Sequence, residues 1–296
     1  MSENAYAVTR GNSRRDVITV RDPDQVDIVV HRWRPARAAA LAGAVHILHG
    51  WADHARRYDG LGSLLADHGY LVHADDHRGH GQTGLSAPNG LGDLGPRGMN
   101  GVVGAVRAVT KRLRSDAGGV PLFLIGHSWG AVIAQRLIRH PDAGLRGCVM
   151  SGSTYAPGLS RKPGNPNEAF PDARTPHDWL CSKPEVVSAY LDDPLCGFSP
   201  YPAKGWVALL AGRDENIPPG LSVLILNGSE DPIGGTEGGT RLARHYREVG
   251  IRDVTFRSFE GARHEILLDT CGLQACQQIL DWLIQRSTAG STTHRE

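Results

Sequence analysis

The pentapeptide Gly126-His127-Ser128-Trp129-Gly130 places a serine between two glycines, directly after an apolar run and before a helix-like pattern. A sharp strand-to-helix turn leaves no room for β-carbons on either side of the serine, and the strained turn lifts its Oγ out of the sheet toward substrate. A strand before and a helix after is the context that this motif requires. The sequence therefore predicts Ser128 as a nucleophile.

A serine hydroxyl attacks a carbonyl well only when a histidine takes its proton and an acid orients that histidine. After a turn of this kind the acid and then the histidine follow on loops after later strands. An apolar run leads into a turn that carries Glu230 and Asp231. We choose Asp231 because it directly precedes Pro232, which favours an extended or turn conformation, whereas Glu230 can simply be solvated. The next alternating run ends in a loop that carries His264, the predicted base.

Further motifs resemble the α/β-hydrolases of the monoacylglycerol lipase and lysophospholipase-like group, and the resemblance covers nearly the whole chain. The first is a strand ending in His49-Gly50, followed by an acidic motif with a histidine and by Arg57-Tyr58. The others are Asp76-His77-Arg78-Gly79-His80-Gly81, Asp231-Pro232 with glycines following, Arg263-His264-Glu265, and two cap motifs, Asp178-Trp179-Leu180 and Asp193-Pro194-Leu195-Cys196-Gly197-Phe198.

The resemblance implies an oxyanion hole made of the backbone N–H groups of Trp51 and Trp129, which follow Gly50 and Ser128. Asp53, His54, Arg57 and Tyr58 are expected to brace this oxyanion loop. The cap would supply an apolar wall for an acyl chain, and its candidate substrate-binding residues are Trp179, Leu180 and Phe198.

The group uses no metal and no cofactor, and we expect neither here. The chain departs from the group at both oxyanion positions, where methionine or a smaller residue is common. If the indoles of Trp51 and Trp129 face the acyl site, they should favour short or medium acyl groups.

The stretch His73-Ala74-Asp75-Asp76-His77, with His80 nearby, superficially resembles a zinc site, because histidine and aspartate are suitable ligands. It coincides with a strand and a turn of the resembled group. We therefore do not expect a metal there.

Composition indicates one main domain with an insertion, because 296 residues with 40% hydrophobic side chains can bury a large core. A net charge of +1 gives no electrostatic case for nucleic acid or an anionic membrane as a partner. The odd count of five scattered cysteines suggests reduced thiols in a cytoplasm. The polar amino terminus and the lack of a long apolar run lead us to expect a cytoplasmic protein without an integral membrane segment. The sequence leaves the oligomeric state open.

Alternating strand-like and helix-like segments predict an α/β-hydrolase fold, with a mostly parallel central sheet flanked by helices and opened by an antiparallel hairpin. Residues 1–151 and 220–286 form the predicted core. Residues 152–219 break the alternation and are rich in aromatic residues, so we interpret them as a helical cap insertion rather than a linker. Residues 287–296 are expected to be a loose C-terminal tail.

The sequence thus predicts a cofactor-independent serine hydrolase that cleaves a carboxylic ester of a small monoacylglycerol-like or lysophospholipid-like molecule. Two alternatives stay open. One is a small-ester or lactone hydrolase or, less readily, an aminopeptidase. The other is a hydrolase fold that binds a small ligand without catalysis.

Overall fold

Strands and helices alternate along the chain in a computed structural model that describes residues 13–36, 40–155, 165–198 and 213–288. The strands are β1 (Arg14–Arg21), β2 (Asp27–Arg34), β3 (Gly43–Leu48), β4 (Tyr70–Asp75), β5 (Leu122–His127), β6 (Gly147–Ser151), β7 (Ser222–Gly228) and β8 (Asp253–Phe259). The α-helices are α1 (Asp59–Asp67), α2 (Gly81–Leu85), α3 (Gly98–Ala117), α4 (Trp129–Ile138), α5 (Pro184–Asp192), α6 (Gly235–Glu248) and α7 (Gly272–Thr288).

The strands form one sheet in the order β1-β2-β4-β3-β5-β6-β7-β8. The opening hairpin β1-β2 is antiparallel, and β2 is also antiparallel to β4. Every other neighbouring pair in the sheet is parallel. The predicted α/β architecture is confirmed, including the antiparallel hairpin at its start.

The central strands are apolar on both faces because helices cover both faces of the sheet. Ile47 of β3 lies in the core that contains residues of α1 and α7. Its neighbour Leu48 lies in the opposite core, with residues of α3, α4 and α6. Successive side chains of a strand point to opposite faces, so these nearly continuous apolar runs supply both cores at once.

The parallel strands bring four loops to one edge of the sheet. The carboxyl ends of β3, β5, β7 and β8 lead into the segments that carry Trp51, Ser128, Asp231 and His264, respectively. Carboxyl ends of parallel strands are the usual place for a site in such sheets.

The cap is described in part. It contains α5 and the short 3-10 turns Pro166–Ala169, Asp178–Leu180 and Asp214–Asn216. Leu180, Tyr190 and Cys196 form a small apolar cluster there, with Trp179 packed against it. Residues 156–164 and 199–212 of the predicted cap lie outside the described residues. The domain boundaries remain a prediction.

Helix α7 continues to Thr288, two residues into the segment expected to be a loose tail. Ser287 supports this last turn, because its hydroxyl donates to the carbonyl of Leu283 and lies 3.0 Å from the hydroxyl of Tyr70. The rest of the predicted tail, residues 289–296, lies outside the described residues.

Each of the five cysteines is a free thiol. In the described segments, no helix combines the length and the apolar character needed to cross a membrane.

Two glycines offer a matched test of helix packing. A β-carbon at Gly62 in α1 would lie 2.6 Å from the buried Trp33 indole, whereas one at Gly104 in α3 would meet nothing within 4 Å. We expect Gly104→Ala to raise the free energy of unfolding by about 0.5 to 1 kcal/mol, since alanine favours a helix. Gly62→Ala should lower it by about 1 to 3 kcal/mol through overpacking. Urea denaturation measures both, and equal stabilisation by the two changes would contradict this packing.

Candidate active site

Ser128 occupies a strained turn between β5 and α4, with φ of 52° and ψ of −117°. A β-carbon at Gly126 would lie 2.6 Å from the carbonyl oxygen of Gly130, and one at Gly130 would lie 2.1 Å from that of Leu48. Both glycines are therefore required by close backbone approach, as the sequence predicts. The Ser128 N–H donates to the carbonyl of Ser151 at 2.9 Å, which fixes the turn on β6.

His264 and Asp231 form a buried pair. His264 Nδ1 donates to Asp231 Oδ1 at 2.9 Å, and the same oxygen accepts the N–H of Ile233 at 2.8 Å. The bond fixes the imidazole with its proton on Nδ1, which leaves Nε2 as the basic nitrogen. Nε2 is buried and has no hydrogen-bond partner among the described residues. It is therefore available to a proton donor in the site.

His264, the predicted base, and Ser128 both approach the carboxyl end of β6. Ser128 bonds to the last residue of β6, and a β-carbon on the next residue, Gly152, would lie 3.0 Å from His264 Cε1. Only glycine fits at this position, where φ is also +56°.

The charge of Asp231 controls the basicity of the imidazole. Burial by itself lowers the pKa of His264, but the negative charge of Asp231, their hydrogen bond and the charge of Glu265 together raise this pKa above its ordinary 6.5. Burial raises the pKa of Asp231, yet the charge and hydrogen bond of His264 bring it below 3.8. The carboxylate is thus ionised near neutral pH and stabilises a protonated imidazole.

Asp231, rather than Glu230, contacts the histidine. The Glu230 side chain is 52% exposed, and its carboxylate lies 3.9 Å from Arg263 Nε. Glu230 is thus exposed to solvent, as the sequence analysis predicts for this carboxylate.

The two predicted oxyanion donors lie beside Ser128. Trp129 is the first residue of α4, so its N–H has no acceptor within the helix and lies at the positive end of the helix dipole. Trp51 follows Gly50, where a β-carbon would be 3.5 Å from Ser128 Cβ. Backbone N–H groups placed in this way can bind the oxygen of a tetrahedral intermediate.

The two indoles differ in exposure. Trp129 is only 2% exposed, and its ring stacks on that of His80 with centroids 4.9 Å apart. Trp51 is half-buried and meets Trp129 edge-on at 5.0 Å. Trp129 belongs to the core cluster that contains residues of α3, α4 and α6, and Trp51 packs against this cluster.

The three predicted substrate-binding residues of the cap also differ. The Trp179 ring lies against His264, with centroids 4.9 Å apart. Phe198 meets Trp51 edge-on at 5.8 Å. Leu180 is buried within the cap cluster and contributes its backbone carbonyl, which accepts the N–H of Glu265 at 2.7 Å. Trp179 thus lies against His264 and Phe198 against Trp51, whereas the Leu180 side chain packs inside the cap.

A buried ion pair joins the oxyanion loop to the histidine loop. Arg57 Nη1 and Nη2 each donate to an oxygen of Glu265 at 2.6 Å, and Arg57 Nη1 lies 3.3 Å from Asp53. Asp53 also accepts the Tyr58 hydroxyl and the His54 N–H. The sequence predicts that Arg57 and Asp53 brace the oxyanion loop, but it gives no signal for the partner of Arg57, which lies 208 residues away.

Residues of the histidine-rich stretch on β4 form hydrogen bonds with other protein groups. Asp75 bonds His46 Nε2 and His77 Nδ1, each at 2.7 Å. His49 Nδ1 donates to the Gly50 carbonyl, while His49 Nε2 accepts the His77 N–H. These bonds fix His49 in its neutral form, and burial lowers its pKa to about 3. They also hold the turn that leads to Trp51.

One group of donor atoms in the described part of the chain is compact enough to hold a metal ion: His54, Asp193 and Cys196, all within 4.8 Å of one another. His54 Nε2 already bonds Asp193 at 2.9 Å, and burial raises the pKa of the Cys196 thiol, which disfavours the thiolate that a metal requires. We interpret this group as a contact between the cap and the oxyanion loop.

Comparisons with known proteins identify the family of the chain. Residues 39–271 match the family Hydrolase_4, described as serine aminopeptidase, S33. The chain is 25% identical over 274 residues to a monoacylglycerol lipase of Mycolicibacterium smegmatis, covering 88% of this chain and 93% of that protein. It is 27% identical to human monoglyceride lipase, covering 88% of each chain.

Among solved structures, a thermostable carboxyl esterase from Bacillus coagulans superposes with a TM-score of 0.81 at 22% identity, covering 93% of this chain and 99% of that one. At this identity the likeness concerns the fold alone. The family match spans most of the chain and includes the serine, the acid and the histidine. The chain belongs to the Hydrolase_4 (serine aminopeptidase, S33) family and is an α/β-hydrolase of the monoacylglycerol lipase type.

Proposed function

We propose that this protein is a serine hydrolase that cleaves carboxylic esters of monoacylglycerol-like or lysophospholipid-like molecules through an acyl-enzyme. The observation that carries this proposal is the buried His264–Asp231 pair, placed at the same sheet edge as a serine in a strained strand-to-helix turn. The substrate class is supported by relatives named monoacylglycerol lipase that align over most of the chain.

The mechanism follows from the protonation states. His264 Nε2 takes the proton of Ser128 Oγ as this oxygen attacks the ester carbonyl, and the N–H groups of Trp51 and Trp129 bind the resulting oxyanion. The imidazolium, stabilised by Asp231, then gives its proton to the leaving alcohol oxygen, and the C–O bond breaks. Water attacks the acyl-enzyme by the same route and releases the carboxylic acid and Ser128.

The apolar rings of Trp179 and Phe198 support an acyl group as the part of the substrate that meets the cap. Each lies against a residue of the proposed machinery, His264 and Trp51 respectively. Apolar walls with a few directed polar groups are typical of small-molecule sites.

A small-ester or lactone substrate is the second candidate, and the half-buried Trp51 beside Ser128 favours it by narrowing the site. Glyceryl monoesters and p-nitrophenyl esters of increasing acyl length separate the two candidates by their relative kcat/KM. An aminoacyl p-nitroanilide tests the aminopeptidase alternative. Covalent labelling by a fluorophosphonate separates all of these from a non-catalytic ligand-binding fold, which need not activate its serine.

The partner that we propose is thus a small ester, with neither nucleic acid nor a metal cofactor involved. A cytoplasmic location is also proposed, and the five free thiols support it.

The first test replaces the nucleophile and the acid. Ser128→Ala should lower ester turnover by at least about 10³-fold, because only the attacking oxygen is removed. Asp231→Asn should lower kcat by about 10² to 10⁴-fold, since the imidazole loses its orienting charge. Glu230→Gln, the matched control, should behave like wild type. Greater damage from Glu230→Gln than from Asp231→Asn would show that the acid is wrongly assigned.

The second test is pH dependence. Because the base must be neutral and its pKa is raised, kcat/KM should fall as the pH drops through a midpoint above 6.5. In Asp231→Asn the negative charge that raises the pKa of His264 is gone, while the burial that lowers this pKa remains. The midpoint of the kcat/KM profile should therefore move to lower pH. A neutral ester assayed from about pH 5 to 9 gives both profiles. A flat wild-type profile with chemistry limiting would exclude histidine as the base.

The third test concerns the buried ion pair. Glu265→Gln leaves the Arg57 charge buried with only Asp53 beside it, so we expect the free energy of unfolding to fall by about 3 kcal/mol. Glu237, which forms an exposed ion pair with Arg241, provides the control. Glu237→Gln should change the free energy of unfolding little. Urea denaturation at pH 7 compares the variants. Equal stability of the two would mean that the Arg57–Glu265 pair does not hold the loops together.

A further inference from the structure

We propose that Tyr190 of the cap is a positioning residue for the oxyanion hole, acting through the backbone carbonyl of Ala52. The proposal rests on the proposed function, in which the N–H of the preceding residue, Trp51, binds the oxyanion. The hydroxyl of Tyr190 donates to the Ala52 carbonyl at 3.0 Å. The cap would thereby set the conformation of a catalytic loop in addition to bordering the substrate.

Backbone strain marks Ala52 as a position that needs external support. Three non-glycine residues in the described ranges have positive φ: Gln25, Ala52 and Ser128. Gln25 lies in the turn of the opening hairpin, whereas the other two are the proposed nucleophile and the residue after a proposed oxyanion donor. A non-glycine residue in this conformation persists only where its surroundings hold it.

The support comes from the cap. The Ala52 carbonyl accepts the Tyr190 hydroxyl and also the Gly197 N–H at 3.1 Å, so two donors from one cap segment occupy its two lone pairs. Ala52 and Tyr190 are both buried. Water therefore cannot readily replace the hydroxyl, and the bond is stronger than an exposed one.

Two neighbouring contacts join the same segments. His54 Nε2 bonds Asp193 at 2.9 Å, and the guanidinium of Arg57 lies over the Tyr190 ring at 4.9 Å. Residues 190–197 thus contact the oxyanion loop at Ala52, His54 and Arg57. On its other side, the loop abuts Ser128 at Gly50. The turn that carries the Trp51 N–H is held between the nucleophile and the cap.

This arrangement predicts a defect specific to the transition state. Without the Tyr190 hydroxyl the Ala52 carbonyl keeps only one of its two donors, so the strained turn can relax and the Trp51 N–H loses its direction. Ground-state binding would change little, because the oxyanion exists only after attack.

The test is Tyr190→Phe, which removes the hydroxyl and keeps the ring against Arg57. Tyr246→Phe is the matched control, because Tyr246 is buried and its hydroxyl bonds Met150 Sδ in the core. Both variants are assayed with a p-nitrophenyl ester and with the thionoester of the same acid, whose sulfur accepts hydrogen bonds poorly. Thermal unfolding shows that each variant is folded.

We expect Tyr190→Phe to lower kcat for the oxygen ester by about tenfold with KM unchanged, a smaller effect than the 10² to 10³-fold cost of losing a direct oxyanion donor. The rate with the thionoester should fall much less. The oxygen-to-sulfur ratio, which is kcat/KM for the oxygen ester divided by kcat/KM for the thionoester, should therefore drop. Tyr246→Phe should leave this ratio at the wild-type value.

Two outcomes would overturn the proposal. If wild type hydrolyses the ester and Tyr190→Phe keeps the oxygen-to-sulfur ratio of Tyr246→Phe, then Tyr190 does not position the oxyanion hole, while the proposed hydrolase activity stands. If wild type hydrolyses neither ester and is not labelled at Ser128 by a fluorophosphonate, the proposed function fails and the positioning role fails with it.

Discussion

The buried ion pair between Arg57 and Glu265 is the contact on which the geometry of the site depends. It joins the loop after β3, which carries one proposed oxyanion donor, to the loop after β8, which carries His264. The side chains are 4% and 6% exposed, so neither charge is tolerable without the other. Because Glu265 directly follows His264, the position of the base is linked to that of the oxyanion loop. The hydrogen bonds of Asp53 extend this support to the turn itself.

The pKa of His264 is shifted in the opposite direction to the pKa values of its buried histidine neighbours. His127 lies 4.8 Å from His264 between ring centroids, and burial together with the charge of His264 lowers its pKa to about 3. His49 is held in its neutral form by two hydrogen bonds and by burial. His264 is equally buried, but the adjacent Asp231 carboxylate raises its pKa. The Asp231 carboxylate thus makes His264 more basic than its buried neighbours His127 and His49.

Local sequence patterns predicted much of this arrangement. The glycines around Ser128, the proline after Asp231 and the order of strands and helices are features of short segments, and short-range sterics determine their conformation. They place Ser128, Asp231 and His264 after the carboxyl ends of β5, β7 and β8, respectively. Parallel pairing then brings these ends together at one edge of the sheet.

Contacts between distant segments could not be predicted in the same way. The partner of Arg57 lies 208 residues away, and Tyr190 lies 138 residues from the carbonyl that it holds. Neither pairing follows from residue type or spacing, because both arise only when the cap and the histidine loop pack on the sheet. The same is true of Trp129, whose indole packs on His80. The sequence identifies the residue after the serine but not the direction of its side chain.

In the proposed mechanism Ser128 carries the acyl group during turnover. The most direct measurement is rapid acid quenching during hydrolysis of a p-nitrophenyl ester, followed by intact-mass analysis and peptide mapping. We predict one acyl group per chain, located on the peptide that contains Ser128, appearing no more slowly than steady-state turnover. Turnover of the ester with an unmodified Ser128 peptide, or with the acyl group on another residue, would exclude Ser128 as the nucleophile.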